Sequence, residues 1–208
     1  MLRSALASFI LSFFAVTLMI LMYVVLPQYL VEHYNQQASS KVQPFAAIIP
    51  SPTPRPTPGL APATLIISKL NIQAGVEYVG LTASNNMDVP KQASHVAWYQ
   101  HGPKPGEVGN AVIAGHYDTI TGKPEIFYNL RKLHAGDEVV VISENAVRST
   151  FVVTEIASIP YNVFPSEEVF KNRPGRNLNL ITCGGIWDKK TKNYTERIVV
   201  YTTFKSST

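Results

Sequence analysis

Asn177-Leu178-Asn179-Leu180-Ile181-Thr182-Cys183-Gly184-Gly185 is the stretch on which the reading of this chain turns. Its apolar and β-branched residues predict a strand over Leu178–Cys183, stopped by two glycines. Cys183 is the one cysteine in 208 residues, so no disulfide can form within the chain. A lone cysteine is either a small buried hydrophobe or a reactive thiol. Its place where a strand ends, with Arg197 fourteen positions on, favours the thiol.

Outward from that stretch the pattern repeats. Apolar or β-branched runs recur at Thr64–Ser68, Val76–Gly80, His95–Trp98, Asn110–Gly115, Glu138–Ser143, Thr150–Ile159 and Arg197–Phe204. Turn formers separate them, among them Gly102-Pro103-Lys104-Pro105-Gly106 and Ala135-Gly136-Asp137. With the Cys183 strand this makes eight short strands, the mark of a sandwich or a closed barrel. A helix is expected after Pro124, where Ile126, Leu130 and Leu133 share a face. A shorter helical turn is expected after Pro165, started by Glu167 and Glu168.

The N-terminal part has a different texture. Ser4 to Val31 carries no charge, and Ser4 to Leu26 is almost wholly apolar. About 20 apolar helical residues span a bilayer core, whereas the apolar region of a signal peptide runs about 7–15 residues before a small-residue cleavage site. The segment therefore reads as a retained transmembrane helix, with 1–34 as cytoplasmic N-terminus and anchor. Arg3 and the terminal amine place the N-terminus in the cytoplasm and all that follows Leu26 outside the cell. Residues 35–63 hold seven prolines, nearly alternating over Pro50–Pro58. Such a run lacks amide donors and favours an extended, semi-rigid spacer. Residues 64–208 are long enough for one domain with its own core. That domain has 15 Lys/Arg against 13 Asp/Glu and no dense basic run. The chain's basic balance is therefore no sign of a nucleic-acid surface.

A thiol nucleophile needs a partner that takes its proton and returns it to the leaving group, and histidine fills that role. Of the five histidines, His33 lies beside the membrane segment, His101 and His134 sit in turns, and His95 starts a short strand. His116 differs, because it ends the run Ala111-Val112-Ile113-Ala114-Gly115 as Cys183 ends its own. A third requirement is a donor for the developing oxyanion. Arg197 opens the last apolar strand, and its guanidinium fork suits a carbonyl oxygen. Read singly, His116 is more commonly a packed histidine and Arg197 a surface arginine.

Together these residues resemble a known family. Ala114-Gly115-His116-Tyr117-Asp118, Leu180-Ile181-Thr182-Cys183 and Arg197-Ile198-Val199-Val200 are similar to the signature of sortases, membrane-anchored cysteine transpeptidases found mainly in Gram-positive bacteria. The extended match resembles class F, through Val96-Ala97-Trp98-Tyr99, the run from Pro105 to His116, and Thr182-Cys183-Gly184-Gly185. The resemblance implies a mainly β fold, an eight-stranded sortase-like barrel with one or two short helices behind the N-terminal anchor. It implies that Cys183 cleaves an LPXTG-like sorting signal through a thioester, and that an amine acceptor resolves it. That acceptor would be a peptidoglycan precursor or a pilin lysine. His116 would be the general acid/base, Arg197 the oxyanion and substrate stabiliser, and Thr182 a substrate-positioning residue. Two other readings stay open: a hydrolytic cysteine peptidase that releases surface proteins, and a non-catalytic surface module with Cys183 simply buried. No metal or other cofactor is expected, since there is no second cysteine, no paired histidines and no glycine-rich phosphate loop.

Overall fold

The computed structural model describes residues 19, 22–23, 26–30, 32, 60–171 and 174–208. The chain divides into two compact units, Met1–Thr53 and Pro54–Thr208. In the first, residues 26–30 are helical, with Leu26 and Leu30 exposed. Among the described residues no helix is long and apolar enough to cross a membrane. Most of the expected anchor, and nearly all of the linker at 35–63, lie outside the described residues.

In the second unit eight strands form a closed barrel. They are β1 (Pro62–Ile67), β2 (Ile72–Val79), β3 (Val96–Tyr99), β4 (Gly109–Ala114), β5 (Glu138–Ser143), β6 (Arg148–Pro160), β7 (Arg176–Asp188) and β8 (Asn193–Ser207). Their order around the barrel is β1-β2-β3-β4-β7-β8-β6-β5, and β1 pairs with β5 to close it. Closure removes the open edges that an eight-stranded sheet would otherwise expose. Two neighbours run parallel, β2 with β3 and β4 with β7; the other pairs are antiparallel.

Side chains alternate between faces along a strand, which sorts the core into two clusters. One takes Leu65, Ile67, Trp98, Ala111, Ile113, Val139, Val141, Phe151, Val153, Leu178, Leu180 and Val200, with Phe127, Leu130 and Leu133 packed among them. The second, on the opposite face of β4, β7 and β8, joins Val112, Ile181, Val199 and Tyr201 to Val169. It is covered by the connection from β6 to β7, which includes the short helix Ser166–Phe170 and supplies Phe164 and Phe170. Burial on both faces explains why β4 and β7 read as nearly continuous apolar runs. Each fully buried large side chain contributes about 1.5–3 kcal/mol.

Two buried asparagines hold that cover down. Asn110 Nδ2 donates to Glu168 O at 2.9 Å, and Asn179 Nδ2 donates to Val169 O at 2.8 Å. The last carbonyls of a helix have no partner within it, so these amides fill a need the helix creates.

All eight expected strands are present, with shifted ends. β7 does not stop at the glycines: it passes through a bulge between Gly184 and Trp187 and continues to Asp188. β8 starts at Asn193 rather than Arg197, so most of the stretch between Gly185 and Arg197 is a β7–β8 hairpin. Gly185 makes the bulge possible, with φ of +76° and with the Thr195 side chain where a Cβ would go. After Pro124 there is a series of turns and a single 3-10 turn, Leu130–Lys132, in place of the expected helix. Phe127, Leu130 and Leu133 are nonetheless buried there. Their packing needs are met by tight turns, so helical spacing overstated the element.

Candidate active site

β4, β7 and β8 lie side by side, and their register decides which residues meet. Cys183 pairs directly with Arg197 across the antiparallel β7–β8 ladder. Directly opposed residues point to the same face, and here that is the face of Ile181 and Val199. On the other side of β7 the parallel register pairs Val112 with Asn179 and Ala114 with Ile181. The pairing continues past the end of β4, since Gly115 N donates to Ile181 O at 3.1 Å. Extrapolated two residues past the Ala114–Ile181 pair, that register would set His116 level with Cys183. The same alternation, if extended from Val112, would turn His116 to the outer face.

Gly115 is required by packing at this point. A Cβ there would lie 2.6 Å from Cδ2 of Phe127, whose ring is fully buried and has nowhere to move. Thr182, next along β7, faces away from Cys183. It is buried, and its hydroxyl donates to Gly115 O at 2.8 Å. Its hydroxyl thus ties β7 to the segment that carries His116.

The half-buried thiol of Cys183 is pushed above the ordinary cysteine range, chiefly by burial. The Arg197 guanidinium pulls the other way, and the Asp118 carboxylate adds to the rise. Arg197 is held in place by its own hairpin: Nη1 donates to Glu196 O at 2.9 Å and Nη2 to Asn193 Oδ1 at 2.9 Å. The guanidinium carbon also lies 4.5 Å from the centre of the Tyr161 ring, a cation–π contact. A side chain fixed on several sides loses little freedom when a substrate oxygen arrives.

His116 is held too, though not by the thiol. Its Nε2 is 2.9 Å from Pro90 O, and its Nδ1 is 3.9 Å from Glu125 Oε2. The other described histidines lie elsewhere: His95 beside Glu77, His101 against Tyr99, and His134 beside Lys69.

Several residues at this site were given no role by the sequence alone. Tyr194 OH donates to Asp118 Oδ2 at 2.5 Å, which links the segment after His116 to the hairpin before Arg197. Burial first, then Asp118 and the nearby Cys183, raise the Tyr194 phenol far above its ordinary value. Tyr117 packs between Tyr128 and Tyr194, and Trp187 packs on Tyr194. Position was the one available signal: Asp118 follows His116 by two residues, and Tyr194 precedes Arg197 by three. Among the described residues no group of three or more His, Cys, Asp or Glu side chains is arranged to hold a metal ion.

Residues 65–205 match the model of the Sortase domain. The chain belongs to the sortase family. That is a family of cysteine transpeptidases, and the barrel described above is its fold. Among solved structures, the chain is similar to the SrtA sortase of Actinomyces oris at 25% identity. That match covers 74% of this chain and 84% of the other, with a TM-score of 0.53. It is similar to sortase C-1 of Actinomyces oris at 17% identity, covering 69% and 73%, with a TM-score of 0.54. The sortase D5 transpeptidase of Clostridium perfringens matches at 20% identity over 70% and 79%, with a TM-score of 0.53. No curated protein matches by sequence.

Proposed function

We propose that this sortase domain works as a membrane-anchored, extracellular transpeptidase of class F type, with Cys183 as nucleophile, His116 as general acid/base and Arg197 as oxyanion stabiliser. The observation that supports the assignment is a direct Cys183–Arg197 cross-strand pair, with the parallel β4–β7 register running up to Ala114–Ile181, two residues short of His116 and Cys183. The extracellular setting rests on the uncharged N-terminal run and the proline-rich spacer.

The chemistry follows from the groups. Because burial keeps Cys183 largely as a thiol, the nucleophile forms as His116 takes its proton. Sγ then attacks the carbonyl carbon of the Thr–Gly bond in an LPXTG-like sorting signal. The carbonyl oxygen becomes an oxyanion, and the fixed guanidinium of Arg197 donates to it. As the C–N bond breaks, His116 returns the proton to the leaving amine, and a thioester joins the substrate to Cys183. In the second half an amine attacks that carbonyl, His116 takes one of its protons, and the C–S bond breaks. The new amide departs and the proton returns to sulfur. The acceptor is a primary amine of a cell-wall precursor or a pilin. The donors are surface proteins bearing a C-terminal sorting signal.

Full-length protein in detergent, incubated with a library of sorting-signal peptides, is expected to give a covalent adduct on Cys183 detected by mass spectrometry. Cys183→Ala should abolish it, and His116→Ala should nearly do so. Ligated product on adding an amine acceptor identifies transpeptidation, and release of free acid alone identifies a hydrolase. A reactive thiol that gives no adduct across the library refutes the enzymatic reading.

A further inference from the structure

The bond from His116 Nε2 to Pro90 O fixes more than a distance. A backbone carbonyl can only accept, so Nε2 must carry the hydrogen. The nitrogen left to gain or lose a proton is then Nδ1, on the opposite side of the ring, where Glu125 Oε2 lies 3.9 Å away. Which nitrogen of a catalytic histidine is protonated is set by the bond the other one makes. Here the setting group is a carbonyl in the β2–β3 connection, residues 80–95, remote in sequence from all three proposed catalytic residues.

That carbonyl is itself held from both sides. Ahead of it, Asp88 N donates to Gly80 O at 3.0 Å and Val89 N to Asp88 Oδ1 at 2.9 Å. Behind it, the next two amides converge on one carboxylate. Lys91 N donates to Glu77 Oε2 at 2.8 Å, and Gln92 N donates to Glu77 Oε1 at 3.0 Å. Glu77 projects from β2, where it pairs with Ala97 of β3, and its side chain is largely covered. His95 Nδ1 lies 3.2 Å from the same carboxylate. Pro90 is buried although Asp88, Val89, Lys91 and Gln92 around it are exposed. An exposed loop with one buried, clamped residue is a loop built to present that residue.

We infer that Glu77 is a positioning residue for His116: by binding the amides of Lys91 and Gln92 it holds the Pro90 carbonyl against Nε2 and so fixes the tautomer and tilt of the ring. The inference rests on His116 as the acid/base of the proposed reaction. A carboxylate suits the task because it offers an acceptor oxygen to each of two consecutive N–H groups. A glutamine of the same size offers one acceptor and turns an NH2 toward the other amide. Consistently, Glu77 is held below the ordinary carboxylate range, first by the bond from Lys91, while burial opposes.

The test uses full-length protein in detergent micelles with 15N-labelled histidine, His116 being assigned from the signal lost in His116→Gln. At alkaline pH the wild-type ring should show hydrogen on Nε2 and a pyridine-like Nδ1. Glu77→Gln should shift that signal toward the other tautomer. It should also lower kcat for transpeptidation about ten-fold or more, part of the roughly 10²–10⁴-fold that a positioned acid/base supplies. KM for the sorting peptide should stay within about two-fold, because the carboxylate does not face the thiol. Glu77→Asp keeps both oxygens on a shorter stem and should fall between the two, which preserves the test if Glu77→Gln does not fold. A wild-type ring with hydrogen on Nδ1 overturns the inference. So does a Glu77 variant whose tautomer signal is unchanged, or one that raises KM and leaves kcat alone. If wild-type protein forms no adduct on Cys183, the transpeptidase reading fails instead, and the tautomer signal still decides the role of Glu77.

Discussion

Thr182→Val replaces one buried hydroxyl with a methyl of the same shape, and its consequences can be worked through. The hydroxyl donates to Gly115 O at 2.8 Å, and Thr182 is only 3% exposed, so water cannot replace the bond. Losing a neutral hydrogen bond costs about 0.5–1.5 kcal/mol, and a buried acceptor left without a partner costs about 1–3 kcal/mol. For a domain of this size each kcal/mol lowers the melting temperature by about 2–4 °C, so a fall of about 2–10 °C is expected by thermal unfolding. Activity should fall as well, because Gly115 directly precedes His116 and the lost bond ties that segment to β7. The drop belongs in kcat and not in KM for the sorting peptide, since Thr182 faces away from Cys183. Thr182→Ser keeps the hydroxyl and should recover most of both losses. An unchanged melting temperature in Thr182→Val would refute the assignment of the hydroxyl as a structural tie. A raised KM with normal stability would show instead that the hydroxyl meets the substrate.

Other expectations follow from the same geometry. Gly115→Ala drives a Cβ to 2.6 Å from the buried Phe127 ring, so the variant should lose about 1–3 kcal/mol or fail to accumulate as soluble protein, read by denaturant unfolding. Because burial and Asp118 raise the Cys183 thiol while Arg197 lowers it, its alkylation by a neutral reagent should keep accelerating above the ordinary thiol range of about 8.5. Asp118→Asn should move that profile to lower pH and Arg197→Gln to higher pH; shifts of opposite sign would count against the arrangement. Asn179→Ala removes the nearer of two amides on Val169 O, leaving Asn110 Nδ2 at 3.3 Å, so hydrogen exchange in the helix Ser166–Phe170 should speed up while β1 and β5 stay protected.

Much of the fold was legible in the sequence because its signal is local. Alternating apolar residues bounded by turn formers located all eight strands, and Cys183, His116 and Arg197 stood out by residue type and place. What was misjudged depended on partners far along the chain. The β7–β8 hairpin extends past Cys183 because Gly185 admits a bulge against Thr195, and a glycine pair looks the same in sequence whether it ends a strand or bends one. Thr182 sits next to Cys183 in sequence, yet alternation turns it to the other face, onto Gly115. The turns after Pro124 bury Phe127, Leu130 and Leu133 at spacings of three, which a 3-10 turn serves as well as an α-helix. Glu77 and Pro90 carry no local mark at all, since their link to His116 exists only once β2, β3 and β4 are assembled.

The parallel pairing of β4 with β7 also bears on when the site exists. It joins segments 67 residues apart, so it must wait for a long stretch of chain to be collected, whereas a hairpin closes from its own turn. Until then Cys183, even where the β7–β8 hairpin has paired it with Arg197, lacks the segment that carries His116. Peptide-bond chemistry is thereby confined to the finished barrel. A partly folded copy has no competence to cut the polypeptides around it, and turnover by this protein is in effect an assay of its own folding.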